Sequence, residues 1–394
     1  MICGNANTEH CTMAGKPMAR VIESNDRLTA SLLPHLPQGN LVMSTFSLGT
    51  VLGMVLAGSK ENTKKQLLGV FGTDKDEEVE DGFQQVLQVV KGFKESPDVK
   101  LHLANKLYSE EKFKVLPAYT KILKSSFGTS PESMSFVEHP GSSQKAINEW
   151  VEEQTNQKIK DLLPDGSVNS NTRVVLVNAI YFKGDWKNKF DPKLTEELDF
   201  NVDKDTKVKV PMMFKEAKYS LLEDIIELDG ASALRMPYKG ESLDMVFILP
   251  KENSNLAKLE KKLSDVKLSK VFDDFGHESK VKAFIPKFKV ESSLELNEPL
   301  KAVGIKDMFD QSSADLSGIS GANNLFVSVV VQKAFIEVNE EGAEAAAATG
   351  AVVMFRSLPP PTPVFKCDRP FYYMIRERSS GLVLFSGRIV NPKD

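Results

Sequence analysis

Apolar positions change period part-way along this chain. LVMSTFSLGTVLGMVLAG is apolar on nearly every face, whereas NTKKQLLGVFG and EEVEDGFQQVLQVVKGF carry apolar residues at three-to-four spacing, so the first half predicts one buried helix and several amphipathic ones. Residues 143 to 163, SQKAINEWVEEQTNQKIKDLL, open on a Ser cap and space Ile147, Trp150, Val151 and Ile159 helically, which predicts a surface helix. TRVVLVNAIYFKGDW follows, β-branched and aromatic without alternation, as in a strand buried on both faces beneath that helix. Further on, ALRMPYK, LDMVFILP, KVKAFIPKFKVES, LFVSVVVQKAFIEVN, FYYMIRE and GLVLFSGRIVNP predict strands, interrupted by helical LAKLEKKLSDVKLSKVF. No period repeats and no Gly/Ser or acidic linker divides the chain. The expectation is one continuous α+β domain over residues 1–394, with 1–19 a loose tail.

Composition removes function classes rather than adding one. A hydrophobic content of 41% supports a sizeable core, and a net charge of -4 with both signs interspersed steers the chain toward neither nucleic acid nor an anionic membrane. No stretch approaches the ~20 apolar residues of a membrane helix. The opening MICGNANTEHCTMAGKP lacks the apolar core of a secretory signal, and no N-x-Ser/Thr sequon occurs. Cys3 and Cys11 either pair or stand as two free thiols, and Cys367 reads as a small core residue. The histidines His10, His35, His102, His139 and His277 are scattered, and HExxH, GxSxG, GxxxxGK[ST] and paired CxxC patterns are missing. The acidic run at 74–81 reads as a solvated face. Neither an enzyme nor a metal or other cofactor is expected, and the chain is expected to be a monomer.

Several segments, in matching order and spacing, point to a family. They are NLVMSTFSLGTVLGMVLAGSKENTKKQL with Asn40, Ser44 and Ser47; ANKLY at 104–108; INEWV; NAIYFKGDW at 178–186; PKF at 286–288; and PFYYMIRERSSGLVLFSGRIVNP with Pro370, Phe371, Gly387, Arg388, Asn391 and Pro392. Over roughly 20–394 the chain resembles the serpins, and its hinge is similar to that of arthropod haemolymph members. Thr45 stands where the family's pattern has proline, and Gln332 where many members carry histidine. The resemblance implies a single-domain fold with three β-sheets, about eight or nine helices and an exposed reactive-centre loop. It implies that VQKAFIEVNEEGAEAAAAT, 331–349, is a strand running into the hinge of that loop, with the composition of inhibitory members. It also places Ser44, Ser47, Trp186 and Gln332 where the central sheet opens. The family's cut falls at the seventeenth residue counted from Glu340, which is Arg356, followed by Ser357.

The loop can be tested without the family. A segment entering a sheet must alternate, one set facing the core and the other solvent. Beyond Glu340, Glu341 and Gly342, one set is Ala343, Ala345, Ala347, Thr349, Ala351 and Val353, all uncharged and small or modest. The other, Glu344, Ala346, Ala348, Gly350, Val352 and Met354, holds the only charge. The competing reading is a short exposed helix, since EAAAAT has high helix propensity. An Arg at the cut selects trypsin-like enzymes, because its guanidinium pairs bidentately with an acidic specificity pocket. The expected function is therefore suicide inhibition of a trypsin-like serine protease as a covalent complex, in the extracellular space where cascade proteases act, with an intracellular location the alternative that the missing signal and sequons point to. The alternative is a non-inhibitory carrier or storage member of the same family. Lys258, Lys261, Lys262, Lys267 and Lys270 are read as one helix face, either a heparin-like polyanion site or a solvated basic surface.

Overall fold

A computed structural model describes residues 15–94, 99–251, 255–272, 275–340 and 361–394. The chain opens with α1 (Lys16–Leu32), β1 (Leu41–Met43), α2 (Thr45–Gly58), α3 (Glu61–Phe71) and α4 (Asp76–Lys94). Then come β2 (Val99–Glu110), α5 (Pro117–Phe127), β3 (Glu132–Met134), α6 (Pro140–Gln154) and β4 (Val174–Gly184). The central part holds β5 (Glu196–Asn201), β6 (Lys207–Ile225), β7 (Ala231–Pro237), β8 (Leu243–Leu249), α7 (Leu256–Asp265) and α8 (Leu268–Val271). It closes with β9 (Ser279–Pro286), β10 (Phe288–Glu295), α9 (Asn297–Ala302), α10 (Ser317–Ser320), β11 (Val327–Val338), β12 (Val364–Lys366), β13 (Phe371–Glu377) and β14 (Val383–Ile389). Two of the helices, α8 and α10, are single turns of four residues.

The strands form three sheets. One has five strands in the order β10-β11-β4-β2-β3. The other two share β6, which pairs with β5 and β9 up to Tyr219 and with β7 from Ser220 onward. That junction joins a six-stranded sheet, β1-β14-β13-β8-β7-β6, to a four-stranded one made of β5, β6, β9 and β12. The uniformly apolar run is α2, buried at every residue except Ala57 and packed against β2, β4 and β14. β4 is buried along its first nine residues, as a strand covered on both faces must be. On its far side a second core of Tyr108, Ile147, Val151, Ile159 and Phe335 lies between α6 and the five-stranded sheet.

Four expectations are corrected. The buried helix read from Leu41 begins only at Thr45, since Leu41–Met43 pair with β14 as β1. The helix read over 143–163 starts at Pro140 and ends at Gln154, because Asn156 and Gln157 take positive φ (54° and 60°); Ile159 is buried from an irregular segment beyond it. KVKAFIPKFKVES is two strands in different sheets, broken around Lys287. The lysine-rich helix is also two, since Val266 adopts extended φ/ψ and ends α7. Lys258, Lys261 and Lys262 lie on α7 and are exposed, Lys270 lies in α8, and Lys267 sits between them, paired with Glu23 at 3.1 Å. Strands β1, β2, β3, β5, β6 and β12 have no counterpart among the predicted strands.

Candidate functional site

β11 and β4 run parallel, while β10 and β2, flanking them, each run antiparallel to their neighbour. Gln332 on β11 is in register with Asn178 on β4, and Asn178 with Asn105 on β2, so three amides form a ladder across three strands. The Gln332 amide donates to Asn178 Oδ1 and to the Ser44 carbonyl (2.8 Å), and its oxygen accepts from the Ser44 N–H (2.9 Å). Asn178 Nδ2 donates to Ser47 Oγ and to Asn105 Oδ1, each at 2.6 Å. Ser47 Oγ donates to Asn105 Oδ1 at 2.8 Å, and its N–H is capped by Ser44 Oγ at 3.1 Å. The Ser44 cap that starts α2 thus presents both serines to the underside of the ladder. Ser44, Ser47 and Asn178 are fully buried and Gln332 is 1% exposed, so every polar atom here needs its partner. Thr45, where the family's pattern has proline, donates its hydroxyl to Asn25 Oδ1 at 2.6 Å.

At the end of β11 the chain is held twice more. Trp186, buried and stacked on Tyr238 with centroids 4.5 Å apart, donates its indole N–H to the Asn339 carbonyl at 3.0 Å. Glu340, just past the end of β11, accepts from Thr195 Oγ1 at 2.9 Å and pairs with Lys287 Nζ at 2.8 Å. Burial pushes the Glu340 carboxyl up, but the bonds from Lys287 and Thr195 outweigh it and hold it below its ordinary 4.5. A small cleft lined by Trp186, Tyr238, Glu337 and Asn339 opens between the ends of β4 and β11.

Ser44, Ser47 and Gln332 are therefore brought together, and Trp186 sits farther along the same seam. Glu341, Gly342, Ala343, Glu344, Ala345, Ala346, Ala347, Ala348, Thr349, Arg356 and Ser357 lie outside the described residues. Asn105, Asn178, Thr195 and Lys287 were missed as site residues. The signal for Asn178 was available, a lone amide in an otherwise apolar strand; that for Thr195 and Lys287 was not, since their role depends on where Glu340 folds.

The profile of the family described as Serpin (serine protease inhibitor) matches residues 23–392. The chain belongs to the serpin family. Serpin B3 of Homo sapiens is 41% identical to this serpin over 373 residues, 90% of this chain and 94% of its own. Iris of Ixodes ricinus is 40% identical over 354 residues, 89% of this chain and 92% of its own. The crystal structure of Serpin48 from Tenebrio molitor, described as a highly specific serpin, matches with a TM-score of 0.82 at 31% identity, covering 96% of this chain and 99% of that one. Ixodes and Tenebrio relatives bear out the likeness to arthropod members. Among the described residues of this serpin no group of His, Cys, Asp and Glu could hold a metal, and no helix is long and apolar enough to cross a membrane.

Proposed function

We propose that this serpin is a suicide-substrate inhibitor of trypsin-like serine proteases, cut at Arg356-Ser357. The protease serine attacks the Arg356 carbonyl, an acyl-enzyme forms, and Ser357 leaves as a new N-terminus. The freed segment then folds back as a strand between β11 and β4, carrying the protease with it before the ester is hydrolysed. One observation carries the reading: β11 and β4 are adjacent but parallel, so a strand returning from the end of β11 lies antiparallel to both. The segment that returns alternates small side chains with period two, as insertion requires.

Insertion of ~15 residues spans ~50 Å. It moves Gln332 away from Asn178 while leaving Asn178 against Asn105, so the ladder parts at one rung. The new strand supplies backbone bonds on both sides, which makes the inserted form the more stable one and gives the trap its drive.

Incubation with trypsin tests this: an SDS-resistant adduct supports inhibition, and clean cleavage without an adduct supports a carrier or storage role. Arg356→Ala should lower the association rate with trypsin about 30-fold to several-thousand-fold, by leaving the enzyme's pocket carboxylate unpaired, with the melting temperature unchanged. A wild-type rate in that variant would move the bait bond elsewhere. Exposed Lys258, Lys261 and Lys262 on α7 support polyanion binding as an added property; retention on heparin beyond ~0.5 M salt would favour it over a solvated basic face.

A further inference from the structure

The outer face of the four-stranded sheet carries an exposed patch that loop insertion does not use. Along β9, Val281, Ala283 and Ile285 are fully buried while Lys280, Lys282 and Phe284 alternate outward. Across the β6 edge, Phe214 stands opposite Phe284, Glu216 opposite Lys282 and Lys218 opposite Lys280. Across the β12 edge, Val364 stands opposite Lys282 and Lys366 opposite Phe284. The two phenylalanine rings meet at 4.8 Å between centroids, both half-buried, and Val364 is 56% exposed. Four lysines therefore surround an apolar centre, against Glu216, paired with Lys280, Asp368, 3.6 Å from Lys366, and Asp199 of β5, which is paired with Lys209 and within electrostatic reach of Lys366.

We propose that this face is a secondary docking surface for the captured protease, taking an acidic patch beside that enzyme's active-site cleft; the proposal rests on the inhibitory reading above. Chain path supports it. The Lys282 N–H donates to the Pro363 carbonyl at 2.9 Å, so the segment carrying Arg356 rejoins the fold at the patch. Seven residues from Arg356 to Pro363 reach at most ~25 Å, less than the ~30 Å diameter of even a small domain. An enzyme seated on the bait thus overhangs the patch. An aromatic centre with a mixed-sign polar rim is the anatomy of a protein interface. A polyanion favours a cationic field without carboxylates in it.

Cationic and anionic trypsins share an arginine pocket and differ in surface charge, so together they separate bait from face. At ~50 mM salt the wild type should inhibit anionic trypsin roughly ten-fold faster than cationic trypsin. That ratio should fall below about two-fold in ~1 M salt and in Lys218→Glu/Lys282→Glu, while Lys261→Glu/Lys262→Glu on α7 keeps it. Both variants should melt with wild type. Equal rates for the two trypsins, or an unchanged ratio in the Lys218/Lys282 variant, overturn the docking face. An unchanged ratio accompanied by earlier elution of that variant from heparin would reassign the patch to a polyanion. If neither trypsin yields an SDS-resistant adduct, the inhibitory reading fails, and the docking proposal with it.

Discussion

β4 meets its two neighbours in different ways. Toward β2 it is antiparallel, with unbroken register from Val99 opposite Gly184 to Ser109 opposite Val174. That side is covered by α6, whose Trp150 ring lies 4.6 Å from Lys106 Nζ, and Lys106 also pairs with Glu132 of β3. Toward β11 it is parallel, with a register shift between Val327 and Val329. Parallel pairing is slightly weaker per residue, and here side chains reinforce it, Gln332 in the middle and Trp186 where the chain leaves β11, while Glu340 ties the end of β11 to Lys287 and Thr195. Both seams carry an amide rung, Asn178 to Asn105 toward β2 and Gln332 to Asn178 toward β11. On the proposed mechanism those toward β11 are given up and replaced by the backbone of an entering strand. The same sheet then holds one seam that stays closed and one that opens to admit the loop.

The largest effect should come from spoiling the entering strand itself. Ala345→Arg leaves bait and acylation untouched but puts an unpaired guanidinium into the sheet's core on insertion, a cost of several kcal/mol on that step alone. The partition should shift toward hydrolysis by more than ~100-fold, with cleavage after Arg356 persisting and the adduct lost. Ala346→Arg, on the outward set, should reduce the adduct much less. Equal behaviour of the two variants would end the period-two account.

Next in size is the middle rung. Gln332→Ala strips partners from the Ser44 backbone and from Asn178 Oδ1, which should destabilise the uncleaved form by about 2–4 kcal/mol. In the cleaved, inserted form the loss should be smaller, because Gln332 has already left Asn178. Asn105→Ala, whose rung stays intact on insertion, should lower both melting temperatures alike. Parallel losses in both forms for Gln332→Ala would show that insertion does not part the ladder there.

How much of this was legible beforehand follows from what each feature depends on. The both-face burial of β4 and the all-round burial of α2 are properties of the residues themselves, and the runs at 172–186 and 41–58 displayed them, although 41–43 form β1 rather than helix. β6 was missed: KVKVPMMFKEAKYSLLEDI passes from one sheet into another, so its alternation belongs to neither throughout. The helix read to 163 failed because buried Ile159 and Leu162 kept helical spacing although the backbone had turned left-handed at Asn156. Serines 44 and 47 and Gln332 could be named from motifs, yet the amide ladder needs strand register, which no single segment contains.

The smallest effect concerns the Glu340 contact. Its folded carboxyl titrates below its ordinary 4.5, so its stabilisation is complete above that value and is lost as pH falls through the folded one. Lys287 is partly exposed, which limits the pair to about 0.5–1 kcal/mol. Glu340→Gln should therefore melt slightly below wild type at pH 7, and the difference should vanish on acidification below 4.5. A gap that widens in acid would reverse the assigned direction.

The contrast between the two seams can be tested by locking each in turn. Val177 and Val331 are in-register partners across β4 and β11, and Ala104 and Ala179 across β2 and β4. Val177→Cys/Val331→Cys, once oxidised, should be cut by trypsin after Arg356 yet yield no SDS-resistant adduct, and reduction before mixing should restore it. Ala104→Cys/Ala179→Cys should form the adduct whether oxidised or reduced. If the oxidised Val177/Val331 lock traps trypsin as well as wild type does, the loop does not enter between β11 and β4.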